Sequence, residues 1–432
     1  MAAARVLDAE RQPESRYWSA SRVVKSLVIS KASPLPSPDA MYGTGRRLEL
    51  FLSAVRSLSD EIEVAYFART DEIAALGPLG PHEAMLSASW GLPVRLSPIP
   101  TRHRAKTAWT YYGAGALSVW DQPDFYEATG PEQAAGVARC LARDPDLVLV
   151  LRMLAMGALA RTGLRPARLF FDLDDVEHKA RWRATLDPPV RPGKLLYATH
   201  IPSMLLAERR AARMAEATFV CSEPDRRYLQ RLGVGSDVEV VPNGLPVPPE
   251  PAPPAPSPTV LYLGTYGYLP NCAAADRLIT RIWPLIQAQV PEARLLIAGK
   301  GPERIASFRS APPGVAFVGF VEDLDQLYAD ARVIACPITV GSGTRVKLVE
   351  AAAYGRPIVS TQVGAEGLDF EADREILLRD DDAAFAAACV RLLRDETACA
   401  RLGAAARAKM RARYSAAEIS ARIAGIMRGA RA

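Results

Sequence analysis

A glycine-rich turn and the helix predicted after it hold the residues best suited to chemistry. The segment VGSGTRVKLVE occupies 340–350, and Thr344 is expected to open the helix. Free backbone N–H groups and the positive end of the helix dipole then point at whatever lies in front of the turn. Arg345 and Lys347 add positive charge in a first turn where acidic residues are usual. This combination favours an anion such as a diphosphate, held by the amides around Gly343 and by the two cations.

The same helix carries a carboxylate at a useful spacing. Glu350 lies about two helical turns beyond Ser342, where it can accept two hydrogen bonds from a vicinal diol such as a ribose. The spacing and the missing Lys–Ser/Thr pair exclude a Walker P-loop. The alternative interpretation is a plain helix capped by Ser or Thr, with its charged side chains in solvent.

An acidic run follows the apolar residues LFF at 169–171. Its carboxylates are Asp172, Asp174, Asp175 and Glu177. Four carboxylates so close repel one another, and leaving their charge unpaired is costly. One of them can act as a base toward a hydroxyl group, or the run can order nearby basic residues. The alternative for Asp175 is an ordinary helix N-cap.

Two glycines, Gly43 and Gly45, lie between the first predicted strand and the helix after it. Because glycine has no Cβ, it lets a ligand approach the backbone closely. The loop is therefore a second candidate for ligand contact. The alternative is an ordinary turn at the start of a helix.

Alternating strands and helices are predicted to position these residues. Short apolar runs typical of buried strands are each followed by turn residues and by apolar residues at helical spacing, which predicts parallel α/β sheets covered on both faces. Ligands of such sheets lie beyond the carboxyl ends of the strands. The predicted strands are 26–30, 63–68, 147–151, 168–173, 218–222 and 238–242, then 259–264, 294–299, 315–320, 332–337, 357–361 and 375–379.

A proline cluster divides the pattern into two halves. Eight prolines fall between Pro246 and Pro258, where neither a helix nor a central strand can form. A chain of 432 residues also exceeds what one core usually organises. We therefore predict two Rossmann-like domains facing a cleft; the alternative for the prolines is a long loop inside one domain. The predicted boundaries are a disordered segment 1–24, a domain 25–245, a linker 246–258, a domain 259–400 and a basic helix 401–432.

Composition excludes several classes of protein. Hydrophobic residues at 49% and charged residues at 23% exclude global disorder. A net charge of +5 is too weak to indicate nucleic acid. The six cysteines and four histidines show no metal-ligand spacing, so we expect no metal and buried free thiols in a reducing cytoplasm. No signal peptide and no transmembrane span of about 18 apolar residues is visible.

The C-terminal stretch is strongly basic. Residues 401–432 carry eight Lys or Arg and one acid, Glu418. Apolar residues at helical spacing over 400–428 predict an amphipathic helix, bent near Tyr414–Ser415. This helix could dock on an anionic membrane, or it could pack against protein with its arginines in solvent.

Several motifs, in order and at the expected spacing, resemble one known family. The chain over roughly 25–415 is similar to the retaining GT-B glycosyltransferases of family 4, also called glycosyl transferase group 1. The matching segments are FFDLDDVEHKARWR (170–183), FVCSEPDRRYL (219–229), VVPNGL (240–245), LYLGTYGYLPNCAAADRLITRIWPLI (261–286), LLIAGKGP (295–302), VGFVEDLDQLYADARVIACP (318–337) and VGSGTRVKLVEAAAYGRPIVST (340–361).

The resemblance implies a donor, a nucleotide diphosphate sugar, held mainly by the C-terminal domain. Glu350 would bind the ribose, and Arg345, Lys347 and the amides around Gly343 and Thr344 would hold the diphosphate. Gly299 and Lys300 would lie near the base and ribose, and Glu366 in another strand-end turn near the donor. The loop with Gly43 and Gly45 would lie beside the phosphates and the acceptor.

Asp174 and Asp175 align best with a His-Asp pair that many family members carry, and His178 could instead help bind the acceptor. GT-B enzymes typically bind the diphosphate without metal, so the D-x-D spacing of Asp172 and Asp174 is not interpreted as a metal site. Two positions depart from the family pattern. Ser342 stands where a first motif Glu belongs, and the usual Arg and Lys are missing from 264–271. We expect Arg345 and Lys347 to compensate.

The expected function is retaining transfer of a sugar to a glycan or lipid-linked acceptor, in bacterial polysaccharide or glycoconjugate synthesis. The expected fold is GT-B, with the C-terminal helix crossing back to the N-terminal domain. The resemblance implies no cofactor besides the donor. We also expect no nucleic-acid partner and a cytoplasmic location, with contact between the basic tail and an anionic membrane as an alternative to a tail packed on protein. One alternative is a non-catalytic GT-B-like protein that binds a nucleotide or glycan, in which Ser342 marks lost chemistry. Another is a sugar-phosphate 2-epimerase, although such enzymes usually place more histidine in the cleft.

Overall fold

A computed structural model describes residues 23–36, 43–102, 118–186, 192–234, 237–248, 253, 256–341 and 344–429. Most of the predicted disordered segment 1–24 and much of the predicted linker 246–258 lie outside these ranges. Ser342 and Gly343 also lie outside them.

The N-terminal domain is built on a seven-stranded sheet of order β3-β2-β1-β4-β5-β6-β7, in which every described strand pair is parallel. Its strands are β1 (Lys25–Ser30), β2 (Glu61–Ala68), β3 (Val94–Pro100), β4 (Leu147–Leu151), β5 (Leu169–Asp174), β6 (Ala217–Val220) and β7 (Val238–Val240). Its helices are α1 (Gly43–Arg56), α2 (Thr70–Leu76), α3 (Gly80–Trp90), α4 (Pro131–Leu141), α5 (Arg152–Arg161), α6 (Glu177–Leu186), α7 (Pro192–Ala198), α8 (Ile201–Met214) and α9 (Glu223–Arg231).

The C-terminal domain is built on a six-stranded sheet of order β10-β9-β8-β11-β12-β13, again parallel in every described pair. Its strands are β8 (Thr259–Leu263), β9 (Arg294–Ala298), β10 (Val315–Gly319), β11 (Val333–Cys336), β12 (Ile358–Ser360) and β13 (Leu377–Leu378). Its helices are α10 (Leu269–Arg277), which a π-helical turn (Leu278–Ile282) joins to α11 (Trp283–Gln287), then α12 (Leu324–Ala329), α13 (Val346–Ala353), α14 (Asp382–Arg394) and α15 (Glu396–Arg413).

The predicted α/β class with two parallel sheets is confirmed. Twelve of the thirteen described strands overlap strands predicted from the sequence. Central strands such as β4, LVLVL, are apolar throughout because helices cover both faces of the sheet. Strand β3 was missed. It contains Pro98 and Pro100, which argue against a central strand, but β3 lies at the edge of the sheet, where proline is tolerated.

The last helix, α16 (Ala416–Arg428), leaves the C-terminal domain and packs on α1. Its Ile419, Ile423 and Met427 are buried in the core that α1 forms with the N-terminal sheet. The chain crosses at Tyr414–Ser415, where the amides of Leu245 and Ala416 donate hydrogen bonds of 2.9 and 3.0 Å to the carbonyls of Tyr414 and Leu245. The predicted return of the C-terminal helix is confirmed, and the two connections between the domains run side by side.

Candidate active site

A cleft lies between the two domains at the carboxyl ends of their central strands. It encloses a cavity of about 460 Å³. Both domains contribute side chains, as expected for ligands that bind beyond the carboxyl ends of parallel strands. Seven of the residues predicted for the site line this cavity: Asp174, Asp175, Gly299, Thr344, Arg345, Lys347 and Glu350.

The helix that faces the cavity begins later than predicted. Helix α13 starts at Val346, and Arg345 occupies the N-cap position with extended backbone. Thr344 therefore does not open the helix. Its hydroxyl instead accepts a 2.9 Å hydrogen bond from the side-chain amide of Asn243, which belongs to the N-terminal domain. Thr344 thus joins the two domains at the edge of the cavity.

Lys347 is held in a fixed position by its neighbours. Its ammonium group donates a 2.9 Å hydrogen bond to Oδ1 of Asn271 and lies 4.6 Å from the centre of the Tyr262 ring. Burial lowers the pKa of Lys347 to about 8. Burial makes the charged ammonium group of Lys347 less stable, and an anion in the cavity would offset that loss. The position is therefore suited to a phosphate group.

Glu350 is buried where the C-terminal domain lines the cavity, one turn after Lys347 along α13. One of its oxygens lies 2.6 Å from Nη1 of Arg46, and the other accepts a 2.9 Å hydrogen bond from the hydroxyl of Tyr328. Arg46 belongs to the N-terminal domain, so this ion pair also crosses the cleft. A diol that binds Glu350 must share the carboxylate with Arg46 or displace it.

Gly299 directly follows strand β9 and has a conformation that only glycine adopts readily. Its φ is 127°, and a Cβ at this position would lie 1.7 Å from the carbonyl oxygen of Gly264. The close approach of the two strand ends brings backbone, without side chains, to the cavity. Lys300, predicted beside it, is exposed and does not line the cavity; its carbonyl accepts a hydrogen bond from the amide of Tyr266.

We expect Gly299→Ala to lower the free energy of unfolding by more than the roughly 1–3 kcal/mol of backbone strain alone, because the added methyl group collides with Gly264. Gly77→Ala is the matched control. Gly77 has a φ of 65° but nothing within 4 Å of an added Cβ, so the loss of stability in Gly77→Ala measures backbone strain without a collision. Denaturant unfolding of the two variants measures the difference, and equal losses would contradict the close approach at Gly299.

Asp172, at the end of strand β5, is fully buried against Arg47. Nε and Nη2 of Arg47 donate hydrogen bonds of 2.8 and 2.6 Å to its two oxygens. Nη1 of Arg47 donates to the carbonyl of Val241 at 3.1 Å and to Oδ1 of Asn243 at 3.0 Å. The Arg47–Asp172 pair joins α1 to the sheet beneath the cavity. Asp172 thus holds a basic residue in place, which is one of the two roles predicted for the acidic run.

Asp174 is also engaged by basic residues. Arg152 and Arg47 form ion pairs with its carboxylate, and the thiol of Cys221 donates a 2.7 Å hydrogen bond to it. Burial would raise the pKa of Asp174, but Arg152 and Arg47 outweigh burial and hold the pKa below its usual value. Both Asp174 and Arg152 adopt left-handed backbone, with φ of 62° and 70°. Non-glycine residues in this conformation cost about 1–3 kcal/mol each and concentrate at functional sites.

Asp175 is the carboxylate of the run that faces the cavity without an ion pair in the described part of the chain. Burial, with Asp174 beside it, raises its pKa to about 6. A carboxylate with this pKa is ionised near neutral pH and still basic enough to accept a proton. Of the two aspartates predicted here, Asp175 is therefore the one free of ion pairs among the described residues, and Asp174 is engaged by the arginines beside it.

Two models of known families match the chain, and together they cover most of it. The one described as "Glycosyl transferases group 1" matches residues 257–395, and the one described as "Glycosyl transferase 4-like domain" matches residues 43–244. The chain belongs to the group 1 glycosyltransferases. No curated protein matches it in sequence.

Solved structures similar to this glycosyltransferase share its GT-B fold. A sucrose-phosphate synthase from Thermosynechococcus elongatus has a TM-score of 0.65 and 18% identity, and the alignment covers 94% of this chain and 98% of that one. Anabaena HepE in complex with UDP-glucose has a TM-score of 0.61 and 16% identity, with 94% and 99% covered. The pneumococcal O-GlcNAc transferase GtfA in complex with UDP and GlcNAc has a TM-score of 0.60 and 12% identity, with 94% and 99% covered.

Besides Lys300, two residues predicted for the site of the glycosyltransferase, Glu366 and Gly45, lie elsewhere. Glu366 does not line the cavity; it forms an ion pair with Arg183 of α6, which also donates to the carbonyl of Gly341. Gly43 is the first residue of α1, and Gly45 lines a neighbouring cavity on the other side of Arg46 and Glu350. From the first turn of α1, Thr44 and Arg46 line the predicted site instead.

Sequence reasoning did not find the basic residues on the N-terminal side of the glycosyltransferase site, namely Arg46, Arg47 and Arg152. A signal existed for Arg47, because it lies four residues before Phe51 on the buried face of α1. A buried arginine requires a buried acidic partner. Arg152 directly follows an apolar strand and carries no comparable signal.

In the described part of the chain, no group of three or more His, Cys, Asp or Glu residues is arranged to hold a metal ion. Among the described helices, none is long and apolar enough to cross a membrane. All six cysteines are free and buried, as predicted.

Proposed function

We propose that this glycosyltransferase moves a sugar from a nucleotide diphosphate sugar to a hydroxyl group of a glycan or lipid-linked acceptor, with retention at the anomeric carbon. One observation supports the proposal above the others. Lys347 and Arg345 line the cavity from the C-terminal domain, and the carboxylate of Asp175, whose pKa is raised, lines it from the N-terminal domain. A leaving diphosphate needs cations to stabilise its negative charge, and an attacking hydroxyl needs a carboxylate to accept its hydrogen bond.

The donor would lie on the C-terminal side. Departure of a nucleoside diphosphate leaves negative charge on a phosphate oxygen, and Lys347, Arg345 and the first amides of α13 are placed to stabilise it. Glu350 would bind the ribose, and Gly299 would let the donor approach the backbone of β9. Two cations at the diphosphate support a mechanism without metal.

The acceptor would enter from the N-terminal side. The ionised carboxylate of Asp175 would accept a hydrogen bond from the acceptor hydroxyl, which attacks the anomeric carbon on the face that the diphosphate leaves. The carboxylate would take up the hydroxyl proton as the new bond forms and pass it to the departing phosphate oxygen. Domain closure, held by contacts such as Arg46–Glu350 and Asn243–Thr344, would exclude the water that otherwise hydrolyses the donor.

The solved structures of HepE and GtfA contain UDP or UDP-glucose, so UDP-sugars are the first donors to test. A thermal-shift screen against UDP-, GDP-, ADP- and TDP-sugars, with and without chelator, compares the four nucleotides. The rival hypothesis is a non-catalytic binding protein. An enzyme releases nucleoside diphosphate with some donor and acceptor, whereas a binding protein binds the nucleotide and releases nothing. The proposed setting is polysaccharide or glycoconjugate synthesis at the cytoplasmic side of a bacterial membrane.

We expect Lys347→Ala to weaken nucleoside diphosphate binding by about tenfold or more, because it removes the ammonium group that Asn271 holds at the cavity and that would donate a charge-assisted hydrogen bond to phosphate. Isothermal titration with the nucleoside diphosphate that the screen selects measures the loss. Lys25→Ala, an exposed change at the amino end of β1, is the matched control and should bind like the original protein. Unchanged affinity of the Lys347 variant would overturn this assignment of the diphosphate site.

A further inference from the structure

Exposed apolar side chains are concentrated on one region of the N-terminal domain. This region, called the α5–α8 face below, comprises the segment that follows α5 and the outer sides of helices α6, α7 and α8. Trp182, Leu186 and Leu195 have 54%, 57% and 56% of their surface exposed. Its other exposed apolar residues are Leu164, Leu196 and Leu206. Patches of this kind on a soluble domain mark contact sites.

The same face carries positive charge that other described residues do not neutralise. Arg165, Arg210 and Arg213 surround a recess between the end of α5 and helix α8, whose floor includes Trp120 and Met214. No ion pair in the described ranges holds these three arginines. On α8, Leu206, Arg210 and Arg213 are spaced to share one exposed side of the helix.

Three described acidic residues near the face are already engaged, so its described part is cationic. Asp121 pairs with Arg161, and Asp124 pairs with Arg181 and accepts a 2.7 Å hydrogen bond from the hydroxyl of Tyr197. Glu208 is buried against the imidazole of His178. Apolar side chains interleaved with unneutralised arginines are typical of surfaces that lie on anionic lipid.

The α5–α8 face adjoins the cleft. Helix α6 begins two residues after Asp175, and its Arg183 reaches Glu366 and the carbonyl of Gly341 in the C-terminal domain. The exposed Trp182 and Leu186 lie on this same helix. A membrane against the face would therefore place a lipid-linked acceptor close to the acceptor side of the cavity.

The described residues of the basic tail, 401–429, expose no large apolar side chain. The apolar residues of α16 are buried in the N-terminal core, and Lys409 and Arg413 lie within 4 Å of Asp369. We propose that the α5–α8 face, and not the tail, docks the protein on an anionic membrane. The proposal rests on the lipid-linked acceptor of the proposed function and names the surface that meets the lipid.

Sedimentation with vesicles tests the proposal on the full chain. Vesicles of phosphatidylglycerol and phosphatidylcholine should retain the protein, and vesicles of phosphatidylcholine alone should not. The double variant Arg210→Glu with Arg213→Glu should lower retention by about tenfold or more, because each cation near an anionic surface contributes to binding. The matched control is Arg401→Glu with Arg411→Glu, which makes the same change of charge at exposed positions of the tail and should be retained like the original protein.

Unchanged retention of the Arg210/Arg213 variant would overturn the proposal. An equal loss in both variants would overturn it as well, because it would show that vesicle binding depends only on the net charge of the protein. Loss in the tail variant only would assign the membrane contact to the tail. A second readout is tryptophan fluorescence. Insertion of Trp182 should shift the emission to the blue on anionic vesicles, and Trp182→Phe should remove that shift; a shift that persists in the variant contradicts insertion at α6.

Nucleotide titration keeps this test separate from the proposed function. The Arg210/Arg213 variant should bind the nucleoside diphosphate normally, because both changes lie outside the cavity. A protein that binds vesicles but no nucleotide would refute the proposed donor site and leave the membrane surface standing. A protein that binds nucleotide but no vesicle would refute the membrane surface alone.

Discussion

Arg47→Met should lower the free energy of unfolding of the N-terminal domain by about 3–5 kcal/mol, the loss typical when one partner of a buried ion pair is removed. Arg47 binds both oxygens of Asp172, and its side chain is only 2% exposed. Without it, Asp172 stays buried with its charge uncompensated, and Asp174 loses one of its two cations. The carbonyl of Val241 loses a hydrogen bond as well.

Arg56→Met is the matched control on the same helix. Arg56 pairs with Glu49, whose side chain is 58% exposed, and surface pairs of this kind contribute about 0–1 kcal/mol. Denaturant unfolding followed by circular dichroism compares the two variants. Similar losses would show that the Arg47–Asp172 pair does not stabilise the sheet end as its geometry indicates.

Asp175→Asn should lower kcat by roughly a hundredfold or more, the usual contribution of a positioned proton acceptor. The amide keeps the size of the side chain but cannot take up the hydroxyl proton. Nucleoside diphosphate affinity should stay within the range of the original protein, because the donor cations lie on the other domain. Asp121→Asn, which changes a partly exposed aspartate paired with Arg161, should retain full activity. Rates with a donor identified by thermal shift provide the measurement.

The same residues predict the pH dependence of the reaction. Asp175 must be ionised to act, so kcat/KM should fall as the pH drops through its pKa of about 6. Lys347 must be protonated to attract the diphosphate, so donor binding should weaken as the pH rises through about 8. Asp175→Asn should remove the acid limb of the profile and leave the alkaline limb in place. An acid limb that survives in the variant would assign it to another group.

The sequence predicted the parts of this fold that depend on local pattern. Continuous apolar strands and the proline cluster are readable without tertiary contacts and predicted two domains with parallel sheets. The spacing of Leu402, Met410 and Ile419 predicted an amphipathic C-terminal helix, and the family resemblance predicted its return to the N-terminal domain. The cavity-lining residues Arg345, Lys347 and Glu350 were found because one segment contains all of them. Family resemblance added Gly299, which has no chemical signal of its own.

Contacts between distant segments were beyond the sequence. Glu366 looks like a donor contact until Arg183, nearly two hundred residues earlier, is placed against it. Asp174 and Asp175 are neighbours with the same chemistry, and only the positions of Arg152 and Cys221 distinguish them. The start of α13 was misplaced because Thr344 is engaged by Asn243 across the cleft, a bond that no local rule describes.

The returning helix also constrains the order in which the protein folds during synthesis. The core beneath α1 includes Ile419, Ile423, Ala424 and Met427, and the hydroxyl of Ser420 bonds the carbonyl of Leu50. The ribosome makes these residues after the strands of the C-terminal domain, long after the first sheet has emerged. N-terminal domains usually fold first as a chain is synthesised. Here the core beneath α1 keeps part of its apolar surface uncovered until the C-terminal domain and α16 have been made.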